Sequence, residues 1–366
     1  MRVVDDHTHP FPRQFEPLDL ATLTLDVHDG PEADRRRHGV AGGRLALEHL
    51  RVRLGNLLGC APADVEAARD TAAAADWPAY VRSLMADACV DGMLLDGGAE
   101  LLGEGDLTEL GRIAGVDAWP LLRVEAVVDP MLTEGASPAE IVDAVERLVS
   151  EGAARGAGGA KTVLAYRTGL DVDPDVSWPA AEASVAGGEP VRRRAKALRD
   201  HVMRRVLAVC ADLSFPLQVH TGFGDSDIRL SDANPLLLEE VLRTPEGSAA
   251  PVVLIHGSFP WHEQAAYLAA TRPMVWTELS LHNLFSPATT ADRLLRVLDL
   301  APAERVLLGS DGHGAPETHW FALRVLHDAW AQTRAQLDGV VRPGWLDRTG
   351  ERIFAGNARA LYHLDQ

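Results

Sequence analysis

Near the start of the chain lies Val3-Val4-Asp5-Asp6-His7-Thr8-His9-Pro10, an apolar run that leads into a His-x-His pair and stops at a proline. In an extended segment residues i and i+2 point to the same side, so this stretch predicts a strand with the imidazoles of His7 and His9 together at its end. Neutral imidazole binds zinc and other late first-row metals. A pair of surface histidines near a terminus gives the same pattern by chance, and this stretch alone leaves both alternatives open.

The rest of the chain repeats a rhythm of short apolar runs and helical stretches. The further runs are residues 92–96, 119–126, 160–166, 215–220, 251–256, 274–279 and 305–311. Runs that are apolar at nearly every position are typical of parallel strands buried on both faces. The pattern therefore predicts an α/β fold, a closed (β/α)8 TIM barrel, with residues 1–366 in one domain. The clearest helices expected after the strands are 138–151, 191–212, 235–243, 263–271, 317–335 and 349–362.

Residues 11–90 separate the first strand from the second and are too long for a plain connection. Helical patterns over 44–58, from Pro62 and from Pro78 predict an all-helical insertion within the barrel. Segments of this kind often form lids or oligomer contacts, so a homo-oligomer is one expectation. The run Arg35-Arg36-Arg37-His38 is interpreted as a solvated loop.

Composition limits the class of protein. Hydrophobic residues make up 46% of the chain, enough for a large core, and the net charge of −18 disfavours nucleic acid and anionic membranes as partners. Cys60, Cys89 and Cys210 lack the spacing of a metal site and are typical of reduced thiols. The N-terminus has no apolar signal core, and no apolar run is long enough to span a bilayer. We therefore expect a cytoplasmic protein.

Five polar residues stand at the carboxyl ends of predicted strands. They are His7 and His9 on the first, His220 on the fifth, His256 on the sixth and Asp311 on the eighth. The active sites of TIM barrels lie at this end of the barrel. Imidazoles and a carboxylate that converge there predict a divalent-metal site with room for water. Each residue alone is open to the alternative of an ordinary hydrogen-bonded loop residue, but their shared position favours a common function.

In this order, His7-Thr8-His9, His220, His256 and Gly309-Ser310-Asp311 resemble the motifs of the metal-dependent amidohydrolase superfamily. Within it, the chain is similar to the branch that is fused or related to glutamine synthetase in nodulin-like plant and fungal proteins. The resemblance is carried by residues 165–170, 219–225, 254–260, 309–313, 316–317 and 353–358. It covers nearly the whole chain, the helical insertion included, and its motifs are strong in combination and weak singly.

The resemblance implies one divalent metal bound by His7, His9, His220 and Asp311. Three nitrogens and one carboxylate fit zinc, which manganese, iron or nickel can replace. It also implies hydrolysis by metal-activated water, with Asp311 as the general base and His256 as the group that polarises the carbonyl or stabilises the oxyanion. Ligating histidines need acceptors for their second ring nitrogen, and the candidates are Asp5, Asp6 and Glu278.

Several branches of the superfamily carry a carboxylated lysine at the end of the fourth strand, where it bridges two metals. Lys161 is the lysine of this region, but it lies at the start of its apolar run, and Leu164 occupies the bridging position. A shift of three residues turns a side chain to the other face of a strand. We therefore interpret Lys161 as structural and predict a mononuclear site.

Contacts to a small-molecule substrate are expected on the loops that follow the strands. Arg167 suits a carboxylate, which a guanidinium holds with two hydrogen bonds, and an ordinary loop salt bridge is the alternative. The other candidates are Asp225, His313 and Glu317. Arg123 and Glu125 share one face of the third predicted strand, either as an inward polar pair near the mouth or as a buried ion pair.

Three functions remain open. The first is hydrolysis of a C–N, amide-type bond in a small carboxylate-bearing substrate, for which the glutamine-synthetase-linked relatives suggest a γ-glutamyl amide by analogy. The second is metal-dependent decarboxylation, in which relatives of the same superfamily use a similar His/Asp set to break a C–C bond. The third is a catalytically silent barrel that serves as a binding or scaffold module, which the complete set of ligands disfavours.

Overall fold

The computed structural model describes residues 1–23, 43–186, 190 and 193–364. Eight parallel strands pair in chain order within one sheet. They are β1 (Val3–Thr8), β2 (Val90–Asp96), β3 (Asp117–Arg123), β4 (Gly159–Thr162), β5 (Leu217–His220), β6 (Val252–Ile255), β7 (Val275–Leu279) and β8 (Val306–Leu308). The predicted (β/α)8 TIM barrel is confirmed.

The segment after β8 returns to β1 through hydrogen bonds. Asp311 N donates to His7 O at 2.9 Å. Beside this bond, Ser310 N and Ser310 Oγ both donate to the carboxylate of Asp5, at 2.7 and 2.6 Å. The end of β1 and the loop after β8 are therefore one hydrogen-bonded unit at the carboxyl end of the barrel.

Helices cover the outside of the barrel, beginning with α1 (Leu45–Leu58), α2 (Val65–Ala75) and α3 (Trp77–Asp87) between β1 and β2. Those that follow are α4 (Glu104–Ala114), α5 (Glu125–Glu134), α6 (Pro138–Ala154), α7 (Trp178–Ala183), α8 (Lys196–Leu213), α9 (Pro245–Ala249), α10 (His262–Thr271), α11 (His282–Phe285), α12 (Thr290–Leu300), α13 (Pro316–Leu337), α14 (Trp345–Glu351) and α15 (Asn357–Leu361). Within the described ranges, no helix is both long and apolar enough to cross a membrane.

Helices α1 to α3 fall where the sequence predicts an all-helical insertion. Their buried side chains, among them Leu54, Val65 and Tyr80, belong to the same hydrophobic cluster as the outer residues of β1 and β2. Residues 24–42, which include the run Arg35-Arg36-Arg37-His38, lie outside the described residues. That the whole chain forms one domain with an insertion over 11–90 stays a prediction.

Strands β3 and β4 end earlier than the sequence predicts, and one side chain explains both ends. Glu125 begins α5 and does not extend β3. Its carboxylate accepts hydrogen bonds from Thr162 Oγ1 at 2.6 Å and from Val163 N at 3.0 Å. The N–H group of Val163 is then no longer free to pair with a neighbouring strand. β4 therefore ends at Thr162, and a 3₁₀ turn, Leu164–Tyr166, follows.

Two predicted helices also differ in detail. Residues 235–243 form two 3₁₀ turns, Pro235–Leu238 and Val241–Arg243, and residues 349–362 contain a π-helical turn, Arg352–Gly356, between α14 and α15. Thr244 caps α9, whose first residue, Pro245, lacks the N–H group needed to continue the preceding turns. Asn357 Nδ2 donates to Ala303 O and Val306 O, at 2.7 and 2.8 Å, and so ties the start of α15 to the base of β8.

The barrel interior is apolar at its base. A cluster there joins Val4, Leu94, Leu121, Val253, Ile255 and Leu307 from the strands with Leu361 and Tyr362 from the C-terminal segment. Packing of this kind closes the end of a barrel and leaves polar side chains for the opposite end.

Gly309, directly after β8, lies where a side chain has no room. A Cβ atom there would lie 2.7 Å from Glu278 Oε1 and 2.9 Å from Asp6 Oδ1, which belong to fully buried residues. We expect Gly309→Ala to lower the free energy of unfolding by about 1–3 kcal/mol, because overpacking forces its neighbours to move. Chemical denaturation followed by circular dichroism measures the change. Gly105→Ala in α4, where a Cβ meets no atom within 4 Å, is the control, and an equal loss in both variants would contradict the prediction.

Candidate metal centre and active site

The carboxyl end of the barrel brings the predicted polar residues together. His7 and His9 lie at the end of β1, His220 ends β5, His256 follows β6 and Asp311 follows β8. All of them are buried except His9, which is partly exposed. His256 and Asp311 have positive φ angles of 68° and 51°, a strained conformation that is frequent at functional sites.

The ring protons of His7 and His9 are held on Nδ1. Gln218 Nε2 donates to Asp6 O at 2.6 Å, so Gln218 Oε1 is the acceptor of the 2.7 Å bond to His7 Nδ1. His9 Nδ1 lies 2.8 Å from the carbonyl oxygen of Asp96, which can only accept. In the neutral form of each ring the lone pair is therefore on Nε2.

Acceptor atoms meet at the centre of the site. His7 Nε2 and His9 Nε2 each lie 3.2 Å from Asp311 Oδ1. This buried oxygen has no hydrogen-bond partner in the part of the chain that the structure describes. Burial, together with the positive charge of Lys161, lowers the pKa of His7 to about 4, so at neutral pH its ring supplies no additional proton. Imidazole and carboxylate lone pairs that face one another need a shared cation, and this donor set fits a divalent metal such as zinc.

His220 and His256 form the adjoining wall, with ring centroids 4.4 Å apart. His220 Nε2 is buried and has no partner among the described residues. Ser280 Oγ donates to Glu278 Oε2 at 2.7 Å and lies 2.8 Å from His256 Nδ1, so it accepts the ring proton of His256. Burial lowers the pKa of both histidines well below the ordinary value, which keeps both rings neutral.

Two groups of three side chains among the described residues bring ligand atoms within 4.8 Å of one another. They are His7, His256 and Asp311, and His7, His9 and Asp96. Of the predicted ligands, His7 and His9 each contact Asp311 Oδ1 at 3.2 Å, but neither group holds all three, and His220 is in neither group. His256 lies close enough to share a metal with His7 and Asp311, and Asp96 is a further candidate ligand that the sequence did not identify.

A cavity of about 470 Å³ opens at this centre. Arg167, Asp225 and His313, predicted as substrate contacts, line it together with His9, His220, His256 and Asp311. Arg167 Nε also donates to Asp129 Oδ2 at 2.8 Å. Arg167 therefore forms the salt bridge and also faces the cavity, and its binding of a substrate carboxylate stays a prediction.

The sequence of the chain matches the amidohydrolase family over residues 4–364. The chain belongs to the amidohydrolase family. This superfamily is metal-dependent, and the amidohydrolase barrel described above has His/Asp groups that can hold a metal.

Protein fluG of Emericella nidulans is 31% identical to the amidohydrolase over 338 residues, which cover 82% of this chain and 37% of that protein. The chain thus spans little more than a third of the length of that relative. A proposed metal-dependent hydrolase from Lactobacillus casei superimposes with a TM-score of 0.86 at 25% identity, covering 100% of this chain and 96% of the other. The uronate isomerase of Thermotoga maritima superimposes with a TM-score of 0.68 over 99% of this chain and 94% of its own, and at 14% identity this likeness shows the fold alone.

Lys161 does not lie where the sequence placed it. β4 ends at Thr162, so Lys161 lies at the carboxyl end of the strand, and its side chain points into the barrel, with Nζ 3.1 Å from His7 Nε2 and 3.7 Å from Asp96 Oδ2. Burial lowers the pKa of Lys161 to about 8, against the opposing effect of Asp96. The prediction that the side chain of Lys161 faces away from the site is therefore wrong, and its structural role stays a prediction. Leu164 lies in the 3₁₀ turn and is buried in the hydrophobic core.

Glu317, predicted as a substrate contact, does not line the cavity. Its buried carboxylate accepts hydrogen bonds from Arg69 Nε at 2.7 Å and from Tyr80 Oη at 2.8 Å. The prediction relied on its closeness to Asp311 in the sequence. Because α13 begins at Pro316, the helix turns the side chain of Glu317 toward the helices between β1 and β2, and the prediction is corrected.

The acceptors predicted for the ligating histidines were Asp5, Asp6 and Glu278, and other groups do this work. Glu278 reaches His256 only through Ser280 and through the backbone N–H of His256. The acceptor for His7 is Gln218, which stands two residues before His220 and shares its inward face on β5. This period of two is the signal that could have identified Gln218.

Arg123 is a cavity residue for which the sequence left two alternatives, and neither holds. It ends β3, and its Nε donates to both carboxylate oxygens of Asp96, at 2.9 and 3.1 Å. Burial raises the pKa of Asp96, but Arg123 and Lys161 outweigh it and hold that pKa below its ordinary value. Glu125, the predicted partner of Arg123, instead binds the end of β4.

We expect Gln218→Leu to weaken metal binding about 10–100-fold, because His7 loses the acceptor that fixes its ring. Competition with a chelator measures the affinity for zinc, and elemental analysis of the wild-type protein gives the number of ions per chain. Gln332→Leu, an exposed position on α13, is the matched control. Equal affinity in the two variants would show that the orientation of His7 does not depend on Gln218.

Proposed function

We propose that this amidohydrolase is a metal-dependent hydrolase that cleaves a C–N, amide-type bond in a small carboxylate-bearing substrate. The observation that carries the proposal is the arrangement of the unprotonated Nε2 atoms of His7 and His9 around Asp311 Oδ1 in an open cavity. Family membership, and 25% identity to a proposed metal-dependent hydrolase over the whole chain, support it.

In this proposal His7, His9, His220 and Asp311 hold one divalent ion, for which zinc is the first candidate. When bound, such an ion activates water and polarises a carbonyl group. The ammonium group of Lys161 lies 3.1 Å from His7 Nε2 and repels any cation bound there, and since each added ion adds to this repulsion we propose one ion and not two. Manganese, iron and nickel suit the same donors.

Asp311 is the general base in this proposal. Its carboxylate accepts a proton from water and passes it to the leaving amine. For His256 the family resemblance implied polarisation of the carbonyl or stabilisation of the oxyanion. Its neutral ring donates Nδ1–H to Ser280, so Nε2 can only accept, and we assign it the orientation of the attacking water.

Arg167 is the proposed anchor for the substrate carboxylate. Asp129 accepts a hydrogen bond from Arg167 Nε, which fixes the orientation of the guanidinium. The two terminal nitrogens then form the edge that can hold a carboxylate with two hydrogen bonds. The overall charge of −18 does not oppose this, since distant charges are screened beyond about 8 Å at physiological salt. Asp225 and His313 line the same cavity and are the further proposed contacts. A γ-glutamyl amide is the first substrate class to test.

The test is a screen of γ-glutamyl amides, N-acyl amides and aromatic acids, followed by mass spectrometry. We expect an amide to disappear with release of ammonia or an amine, and Asp311→Asn to slow this about 10²–10⁴-fold through loss of the base. Metal analysis of the variant separates loss of the base from loss of the ion. Release of carbon dioxide from an acid would instead identify a decarboxylase. Turnover in no compound class, with metal bound, would favour a binding module.

Conversion of Arg167 to Met removes the positive charge at similar length. We expect KM for carboxylate-bearing amides to rise with little change in kcat, because a contact made equally in ground and transition state is lost. Neutral amides should be unaffected. Arg205→Met, an exposed position on α8 that pairs with Glu146, is the control. An equal loss of activity on both kinds of amide would mean that Arg167 serves only to hold Asp129.

A further inference from the structure

One buried arginine of the helices between β1 and β2 contacts both chain segments that carry candidate metal ligands. Arg69 in α2 is 2% exposed. Its Nη1 donates to Glu16 O at 2.6 Å, in the segment that follows His9. Its Nε donates to Glu317 Oε1 at 2.7 Å, in the first turn of the helix that follows Asp311.

The guanidinium also forms a salt bridge with Asp70, whose Oδ1 lies 2.9 Å from Nη1, and three aromatic rings surround it. The centroids of Phe15, Trp77 and Tyr80 lie 5.6, 5.6 and 5.8 Å from its central carbon. Tyr80 Oη also donates to the carboxylate oxygen of Glu317 that Arg69 holds. A planar guanidinium suits stacking and the simultaneous hydrogen bonds, whereas the ammonium of a lysine reproduces only the charge.

The first turn of α13, which contains Glu317, also contacts the residues around the proposed metal centre. His319 Nε2 lies 2.9 Å from His9 O, and His9 N donates to Gly312 O at 2.8 Å. Gly312 has no room for a side chain, since a Cβ atom there would lie 2.3 Å from the ring of His319. A displacement of the first turn of α13 therefore moves both His9 and the loop that holds Asp311.

The segment after His9 is held in the same way. Trp77 Nε1 donates to Pro12 O at 3.0 Å, and Phe11 packs edge-on against His319 with ring centroids 5.5 Å apart. The two ligand-bearing segments thus share a set of contacts outside the cavity, and Arg69 is the charged group at which they meet.

We propose that Arg69 is a positioning residue for the metal centre: its contacts with Glu16 and Glu317 hold His9 and Asp311 at the separation that binds the metal. It touches neither the substrate cavity nor the reacting atoms. The proposal rests on the metal centre proposed above and is independent of the reaction that the metal serves.

The chain offers a matched control. Arg53 in α1 forms a salt bridge with Asp328, and so joins the same group of helices to α13, well beyond its first turn. Loss of Arg53 weakens the packing of these helices on α13 and leaves the contacts of His9 and Asp311 in place. A general loss of helix packing would therefore affect Arg53→Met and Arg69→Met alike.

The experiment measures cobalt and zinc binding by competition with a chelator, and the visible spectrum of the cobalt protein, for wild type, Arg69→Met, Arg69→Lys and Arg53→Met. We expect Arg69→Met to weaken metal binding about tenfold and to alter the cobalt bands, with Arg69→Lys in between. Arg53→Met should bind within about twofold of wild type with an unchanged spectrum, since a partly exposed ion pair contributes little.

Glu317→Gln, which keeps the shape of the side chain and removes its charge, replaces Arg69→Met if that variant does not fold, and should change binding in the same direction. Equal affinity and equal spectra in wild type and the Arg69 and Glu317 variants would overturn the proposal, and so would equal losses in Arg69→Met and Arg53→Met. Wild-type protein that binds no metal would overturn the metal centre itself. Absence of amide hydrolysis by metal-loaded wild type would overturn the proposed reaction alone.

Discussion

The hydrogen bond from Asp311 N to His7 O is the contact on which the site depends most. In a closed barrel the last strand must meet the first, and here the contact is made by the residues that carry candidate metal ligands. β8 is only three residues long, so the residues after it, with the bonds from Ser310 to Asp5, complete the junction. The separation of the two ligands is therefore set by barrel closure, a constraint of the whole fold.

A layer of buried acids lies directly behind this junction. Asp5, Asp6 and Glu278 are fully buried. Burial raises the pKa of Asp5 to about 7 and raises the pKa values of Asp6 and Glu278 well above the ordinary range. Carboxyl groups so placed share protons because ionisation in a low dielectric is costly. Their partial negative charge faces the site from behind and favours a cation in front, where Lys161 lies.

The order and number of the strands follow from the sequence because parallel barrel strands are buried on both faces and read as apolar runs. The residues at which the strands end cannot be predicted from the sequence, since the apolar runs continue beyond the last hydrogen bond between neighbouring strands. β4 shows this: residues 163–165 are as apolar as a strand, yet Glu125 from the preceding helix binds Thr162 and Val163 and ends the ladder. That contact between distant residues is absent from the local pattern, and the error over Lys161 follows directly from it.

The candidate ligands follow from the sequence for a similar reason, and their protonation does not. His7, His9, His220 and Asp311 were identifiable because each follows an apolar run at the same end of the barrel. Whether an imidazole offers a lone pair to the cavity depends on what its other nitrogen contacts, a side-chain amide for one ring and a carbonyl oxygen for the next.

His256 makes the consequence plain. The family resemblance implied an electrophilic role for His256, but Ser280 and Glu278 hold its ring proton on Nδ1, on the side away from the cavity. Nε2 of His256 can therefore only accept a hydrogen bond. The cavity offers a water molecule several acceptors, among them a carboxylate, but the ring of His256 has no proton to donate to an oxyanion. In the proposed hydrolysis, stabilisation of negative charge would then come from cations, from the Lys161 side chain that lines the cavity and from the ion that His7, His9 and Asp311 would hold.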